Sequence, residues 1–339
     1  MTPSDHEPKR VLVTGGCGFI GSHLAETLLD RGHLVTVIDD LSTGKLENVE
    51  NLRSHPSFDV AIDTILNPPT LDRLASECNV IFHLAAAVGV ELIIRDPVHV
   101  IETNILGSSA VLKAAARHRC PVLLASTSVI YGKSEGTPVD EESDRLLGPT
   151  TRWRWCYSTS KAVDEYLGLA YHRQLGLPVT VFRPFNTVGP RQTGHYGMVI
   201  PRFVEQALAG EPLSVYGAGT QTRRFRDGRA VPNALVRLRS EPDTSGGVFN
   251  VGAPNEISIL ELARTVLRLV HGDRDPTPAG AMDDRIRLVP YDEAYEAGFE
   301  DMLRRVPNLR RIHNAIGWAP RIHFEDTLRD VIAFHRAAT

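Results

Sequence analysis

Thr14-Gly15-Gly16-Cys17-Gly18-Phe19-Ile20-Gly21-Ser22 decides the fold of this 339-residue chain. It follows the apolar run that begins at Val11. It opens a stretch in which Ile20, Leu24 and Leu28 recur at helical spacing up to Gly32. Gly15, Gly18 and Gly21 stand as GxxGxxG. Small residues at this spacing let the backbone approach a pyrophosphate, and the N-terminus of the helix supplies N–H donors and a positive dipole end. Tight turns also use glycine, so the context carries the reading: strand, glycines, helix, second strand. That second strand, Leu34–Ile38, ends in Asp39-Asp40. An acid there accepts both hydroxyls of an adenosine ribose and repels a 2′-phosphate. Asp39 is read as that acid, which predicts NAD over NADP. Lys45 is the nearby cation that speaks for a phosphate.

Further strands follow at Val80–Leu84, Val122–Ala125 and Val179–Phe182, with a good helix former at Ala110–Ala116 between them. Continuous apolar strands separated by helices predict an α/β fold, a doubly wound parallel sheet covered on both faces. After Arg183 glycine and proline become frequent and the alternation loosens. The expected division is a dinucleotide-binding domain over 1–182 and a smaller substrate domain over 183–339. Segments near 213–252, Leu213–Gly217 and Phe249–Val251, are expected to return to the first sheet. Asp273–Met282 reads as a mobile loop.

Composition excludes several classes. Apolar residues make up 42% and charged residues 23%, enough for a sizeable core and too apolar for a disordered chain. With 37 basic against 41 acidic residues the net charge is -4, which argues against nucleic acid or an anionic membrane as partner. Cys17, Cys78, Cys120 and Cys156 form no CxxC pair, so neither a disulfide framework nor a metal site is expected. A reducing cytoplasm is the expected compartment. The polar start, Met1–Arg10, is no secretory signal, and Val80–Ile94 is too short to span a bilayer.

Tyr157 and Lys161 lie four residues apart in Tyr-Ser-Thr-Ser-Lys, which places them on one face of a helix running to Leu175. A phenol has a reference pKa of about 10. A neighbouring ammonium and an oxidised nicotinamide both favour the phenolate, so the pair suits a base near neutrality. The strand Val122–Ala125 ends in Ser126-Thr127-Ser128, where such folds bind ligands, and Thr127 is placed to bond the substrate hydroxyl that loses its proton.

Taken together, the chain resembles the extended short-chain dehydrogenase/reductases of the nucleotide-sugar epimerase/dehydratase family. The resemblance rests on the stretch 14–22, on Asp-Asp-Leu-Ser-Thr-Gly at 39–44 and on Phe-His-Leu-Ala-Ala at 82–86. It continues in Ser-Thr-Ser-Val-Ile-Tyr-Gly at 126–132, Tyr-Ser-Thr-Ser-Lys at 157–161 and Arg-Pro-Phe-Asn-Thr-Val-Gly-Pro-Arg-Gln at 183–192. It implies a Rossmann-type first domain and Thr127, Tyr157 and Lys161 as catalytic residues. The implied cofactor residues are Gly15, Gly18, Phe19, Ile20, Gly21, Asp39, Asp40, Ser42, Thr43 and Gly44. Asp63, Thr64, Leu84, Ala85, Ala86, Asn104 and Pro184 complete them, with Tyr157 and Lys161 again. On the substrate side it implies Val88, Thr127, Ser128 and Asn186, the last on the diphosphate. Val199 and Ile200 are expected just before a helix at Arg202–Ala209, Tyr216 beside the base, and Arg223 and Arg305 as phosphate clamps. Arginine suits a clamp because its planar fork pairs two oxygens at once.

Three positions depart from the family pattern. Asn308 replaces a frequent Asp. Gly228-Arg229-Ala230 replaces Val-x-Asp, so either Asp227 caps the next helix by a shifted turn or the region is loose. Ser128-Val129 replaces the Asp-Glu of the 4,6-dehydratases, whereas uronate decarboxylases keep Glu at the second position. The expected function is therefore NAD-dependent C4 epimerisation of a UDP-activated hexose or hexuronate. A dehydratase or decarboxylase of the same fold is the alternative, and a non-catalytic NAD-binding protein is the reading from another class. Glu91 is the acid best placed in sequence to replace Val129. The helical stretches Asn104–Arg117 and Tyr157–Leu175 carry apolar residues on more than one face, and the resemblance implies that they pair into a homodimer.

Overall fold

The computed structural model describes residues 9–338 apart from 135–137, 195–197, 254–255, 273–282, 295–301, 303–305 and 321. The first half alternates as the apolar runs require. β1 (Arg10–Thr14) leads into α1 (Phe19–Leu29), then β2 (Leu34–Asp39), β3 (Phe58–Ile62), α2 (Pro68–Ser76) and β4 (Val80–His83). The short α3 (Val90–Arg95) precedes α4 (Pro97–His118), β5 (Val122–Ala125), α5 (Arg154–Leu175) and β6 (Val179–Pro184). After β7 (Thr187–Val188) and α6 (Val199–Leu208) come β8 (Leu213–Tyr216), β9 (Thr222–Arg223) and β10 (Arg226–Asp227). Next are α7 (Ala230–Ser240), β11 (Val248–Val251), β12 (Ile257–Ser258) and α8 (Ile259–His271). β13 (Ile286–Val289), α9 (Tyr291–Ala294), α10 (Arg310–Ile316) and α11 (Phe324–Ala338) end the chain.

Seven strands form one sheet in the order β11-β6-β5-β4-β1-β2-β3, and every pairing in it is parallel. This is the doubly wound Rossmann-type sheet the sequence predicts. All four residues of β4 are buried, as a strand covered on both faces must be. The order reverses between β1 and β4, which opens a crevice at their C-terminal ends.

One face of the sheet packs on α1, α7 and α10 through Leu24, Leu28, Leu235, Ile312 and Trp318. The other packs on α2 and α4 through Leu71, Leu74, Val111 and Leu112. A separate cluster joins α6, α8 and α11 through Phe203, Leu262, Val266 and Val331. Val248–Val251 returns to the edge of the main sheet, against β6. Leu213–Tyr216 does not: it pairs with β13 in a small sheet of its own. The partner strand is some seventy residues away, out of reach of any local pattern. The expected mobile loop at Asp273–Met282 lies outside the described residues.

The altered segment at 228–230 is well ordered by its own chemistry. Asp227 Oδ1 accepts from the Arg229 backbone N–H at 2.7 Å, a local turn ahead of α7; the helix itself starts after Arg229 with no side-chain cap, so the shifted cap expected of Asp227 does not form. Arg229 forks onto Asp227 and reaches Asp330 of α11 at 2.6 Å. Gly228 is required, since a Cβ there would stand 2.3 Å from the Phe19 ring. The cysteines among the described residues are free thiols, and no helix among those residues is long and apolar enough to cross a membrane.

Candidate functional site

The crevice holds a cavity of about 980 Å³. Its floor is the glycine turn. Gly15 has φ +71°, and a Cβ on it would lie 2.8 Å from the Ala85 nitrogen. A Cβ on Gly21 would stand 2.1 Å from the Gly15 carbonyl oxygen. The turn is therefore a cradle that side chains would fill. No side chain caps the N-terminus of α1, so its N–H groups face the cavity's contents. These features fit a dinucleotide pyrophosphate.

Phe19, Ile20 and Gly18 line the same cavity, as do Asp39, Asp40, Ser42, Thr43 and Asp63 at one end. Leu84, Ala85, Ala86, Val88 and Pro184 line the middle, with Thr127, Tyr157 and Lys161 beside them. Asp39 is mostly buried and accepts N–H bonds from Cys17 and Leu41, both at 2.9 Å. Burial lifts its carboxyl above the ordinary range, against the pull of those two donors. Lys45 also lines the cavity, as do Glu205 and His335 from α6 and α11.

Four expected residues stand behind the wall. Gly44 abuts the Asp39 carboxylate, and Thr64 donates its N–H to Asp63 Oδ1 at 2.8 Å. Asn104 fixes the 85–88 segment by bonding both the N–H and the carbonyl of Ala87, at 2.9 and 3.2 Å. Ser128 is buried under the turn that Thr127 caps and does not line the cavity. Val129 packs with Ala87, Val88 and Tyr157 in an apolar cluster. Glu91 is exposed on α3 and lines neither cavity described here.

The helix that carries the Tyr-Lys pair is held rigidly. Glu165 of α5 receives a forked pair from Arg183 of β6, at 2.8 and 2.7 Å. Arg183 also donates to the Tyr131 hydroxyl at 2.8 Å, which in turn donates to Asn250 at 2.6 Å. Burial pushes the Tyr131 phenol up to about 12, so this tyrosine is a strut. Arg183 of the Arg-Pro-Phe-Asn motif is thus part of the scaffold.

A second cavity, about 190 Å³, adjoins the first and shares Thr187, Gln192 and Met198 with it. Asn186, Val199, Ile200, Tyr216 and Arg223 line it as expected. Val199 and Ile200 form the first turn of α6 instead of preceding it. Asn186 has φ +27°, and its side-chain nitrogen is buried with no partner among the described residues. The Thr187 hydroxyl is likewise unpartnered. Two arginines not singled out from the sequence, Arg154 and Arg202, join Arg223 in the lining. Arg202 lies over the Tyr216 ring at 3.9 Å, so one face of that ring is already covered. Three arginines, a helix N-terminus and spare amide and hydroxyl groups make a site for a strongly anionic group. Arg305 lies outside the described residues. Asn308 caps Arg310 at 3.0 Å and lines neither cavity.

The family model described as GDP-mannose 4,6 dehydratase matches residues 12–331 of the chain. The chain is 38% identical over 97% of its length to a UDP-N-acetyl-alpha-D-glucosaminuronate decarboxylase of Bacillus cytotoxicus, covering 98% of that protein. It is 35% identical over 98% of its length to UDP-glucuronic acid decarboxylase 1 of Xenopus tropicalis, covering 73% of it. Among solved structures, the UDP-glucose 4-epimerase of Thermotoga maritima, in complex with UDP-glucose, superposes with a TM-score of 0.83 at 26% identity, over 97% of this chain and 99% of that one. The dTDP-glucose 4,6-dehydratase DesIV of Streptomyces venezuelae, with NAD bound, gives 0.85 at 26% identity, over 97% of each chain.

Proposed function

Since the chain belongs to the GDP-mannose 4,6-dehydratase-like family of NAD-dependent nucleotide-sugar enzymes, we propose that it decarboxylates a UDP-linked uronic acid. The names of its sequence relatives support decarboxylation over the epimerisation expected from the motifs alone. The observation that carries the reading is the 38% and 35% identity to uronate decarboxylases, while the chemistry beside Tyr157 argues only against elimination of water. Thr127, Tyr157 and Lys161 line one wall, and Val129, two positions after Thr127, is apolar and packs in the cluster of Tyr157. Elimination of water needs an acid and a base there, so Val129 speaks against a dehydratase; it departs equally from the Glu that the resemblance gives uronate decarboxylases at that position.

In this mechanism Thr127 bonds the C4 hydroxyl and Tyr157 takes its proton. The glycine turn, Asp39 and Lys161 of the first cavity would hold NAD, which would supply the reversible hydride acceptor for C4. With a ketone at C4, the C5 carboxylate is β to a carbonyl. The C5–C6 bond breaks, CO2 leaves, and its electron pair moves to the C4 oxygen as an enolate, which takes a proton at C5. Ala87 and Val88 line the cavity beside Tyr157 with apolar surface, which disfavours a carboxylate and favours its loss as neutral CO2. The arginines of the second cavity hold the diphosphate throughout.

UDP-glucuronate and UDP-N-acetylglucosaminuronate are the substrates to test, with mass spectrometry of the product. A product lighter by one CO2 is expected. Epimerisation is the second reading, because it needs nothing at position 129, and a product of unchanged mass would establish it instead.

The protein is further proposed to act as a homodimer through α4 and α5. Val98 and Leu106 on α4 and Tyr166 on α5 are 63%, 53% and 68% exposed, an apolar stripe on packed helices. Light scattering should give twice the chain mass. A monomer across micromolar concentrations would count against it.

A further inference from the structure

Lys161 is 2% exposed and its ammonium donates to Asp164 Oδ2 at 2.7 Å. Asp164 is fully buried, and its other oxygen has no partner among the described residues. The pair therefore isolates one positive and one negative charge inside the protein. The neighbouring His83 cannot share either role. Its ring nitrogens lie 2.7 Å from the Thr14 hydroxyl and 3.0 Å from that of Ser108. Burial, and then the charge of Lys161, push it down to about 3, so it stays neutral.

A buried ammonium without an anion is strongly disfavoured and sheds its proton. An ammonium also has three N–H donors. Asp164 takes one of them from behind the cavity wall, while Lys161 itself lines the cavity. From this geometry we infer that Asp164 is a positioning residue: it anchors the Lys161 ammonium so that its two remaining donors serve the cofactor and the phenol of Tyr157. The inference rests on the proposed catalytic role of Lys161, but its first test does not depend on which sugar is turned over.

That test is a double-mutant cycle on NAD+ affinity, measured by calorimetry on cofactor-stripped protein. Asp164→Asn keeps the volume and removes the charge. It should weaken NAD+ binding about tenfold, the size of one lost charge-assisted hydrogen bond. Lys161→Met should do the same, and the double variant should be no worse than either single one. Unchanged affinity in Asp164→Asn, or losses that add, would overturn the inference. Should Asp164→Asn fail to fold, the double variant, which removes both charges, should fold and bind like Lys161→Met; its failure to do so would equally overturn the inference. With the sugar nucleotide, Asp164→Asn should lower kcat about 30-fold, less than the roughly 10²–10⁴-fold of a lost acid–base group because Tyr157 stays in place, and leave KM unmoved. An inactive parent enzyme would refute the decarboxylase reading and leave the affinity cycle standing.

Discussion

Replacing Tyr157 with Phe is expected to cut turnover by about 10²–10⁴-fold, the contribution typical of a lost general acid–base group. The ring stays, so the apolar cluster with Ala87 and Val88 keeps its packing and the melting temperature should hold. The hydroxyl alone is lost, and with it the group proposed to take the C4 proton. Affinity for UDP should be unchanged, because Asn186, Arg154 and Arg223 belong to the second cavity and Tyr157 does not. Steady-state kinetics and UDP titration of the same preparation check both halves. A Phe variant with near-normal turnover would remove Tyr157 from the mechanism.

Truncating the arginine clamp is expected to produce the second large loss, this time in binding. Each of Arg154→Ala and Arg223→Ala removes a fork that can pair two phosphate oxygens. One charge-assisted contact is worth about 1.5–3 kcal/mol, so each variant should bind UDP roughly 10- to 100-fold more weakly. If the two act independently, the double variant loses about 10²–10⁴-fold. Arg223 is 8% exposed and donates to the Thr222 carbonyl at 2.8 Å, so its stem is already anchored and little ordering is needed on binding. Calorimetry with UDP alone isolates this effect from chemistry. Undiminished affinity in both single variants would show that the nucleotide sits elsewhere.

Much of the first cavity was legible in the sequence because its signals are local. The turn at 14–22 needs glycine for steric reasons that hold in any context, and Asp39 follows from the end of the adjoining strand. The i,i+4 spacing of Tyr157 and Lys161 needs only a helix. The second cavity was less legible. Arg154 precedes Tyr157 by three residues in Arg-Trp-Arg-Trp, a segment with no motif, and Arg202 looks like any polar residue on an amphipathic helix. Their meaning comes from α5 and α6 converging on Tyr216, which local periodicity does not encode. Asp164 shares this fate: a charged residue three positions after a lysine usually reads as a solvated pair, and only burial reveals otherwise. The pairing of Leu213–Tyr216 with β13 failed to show for the same reason. What the motifs did not decide was the fate of the ketone, since oxidation at C4 is common to every branch.

The return of the chain to its first sheet bears on how the protein is made. When residue 184 leaves the ribosome, six of the seven sheet strands exist, yet β6 still offers an unpaired edge that only Val248–Val251 will cover. The face of the sheet that carries α1 waits longer, for α7 and then for Ile312, Ile316 and Trp318 well downstream. A nascent chain thus carries an open strand edge and a bare apolar face until those segments have been made. Such surfaces recruit other chains, and contacts this distant in sequence form slowly. The sheet that lines the first cavity is therefore completed only by residues made well after it. Yield in a cell is then governed by chaperone supply and growth temperature as much as by the stability of the finished molecule.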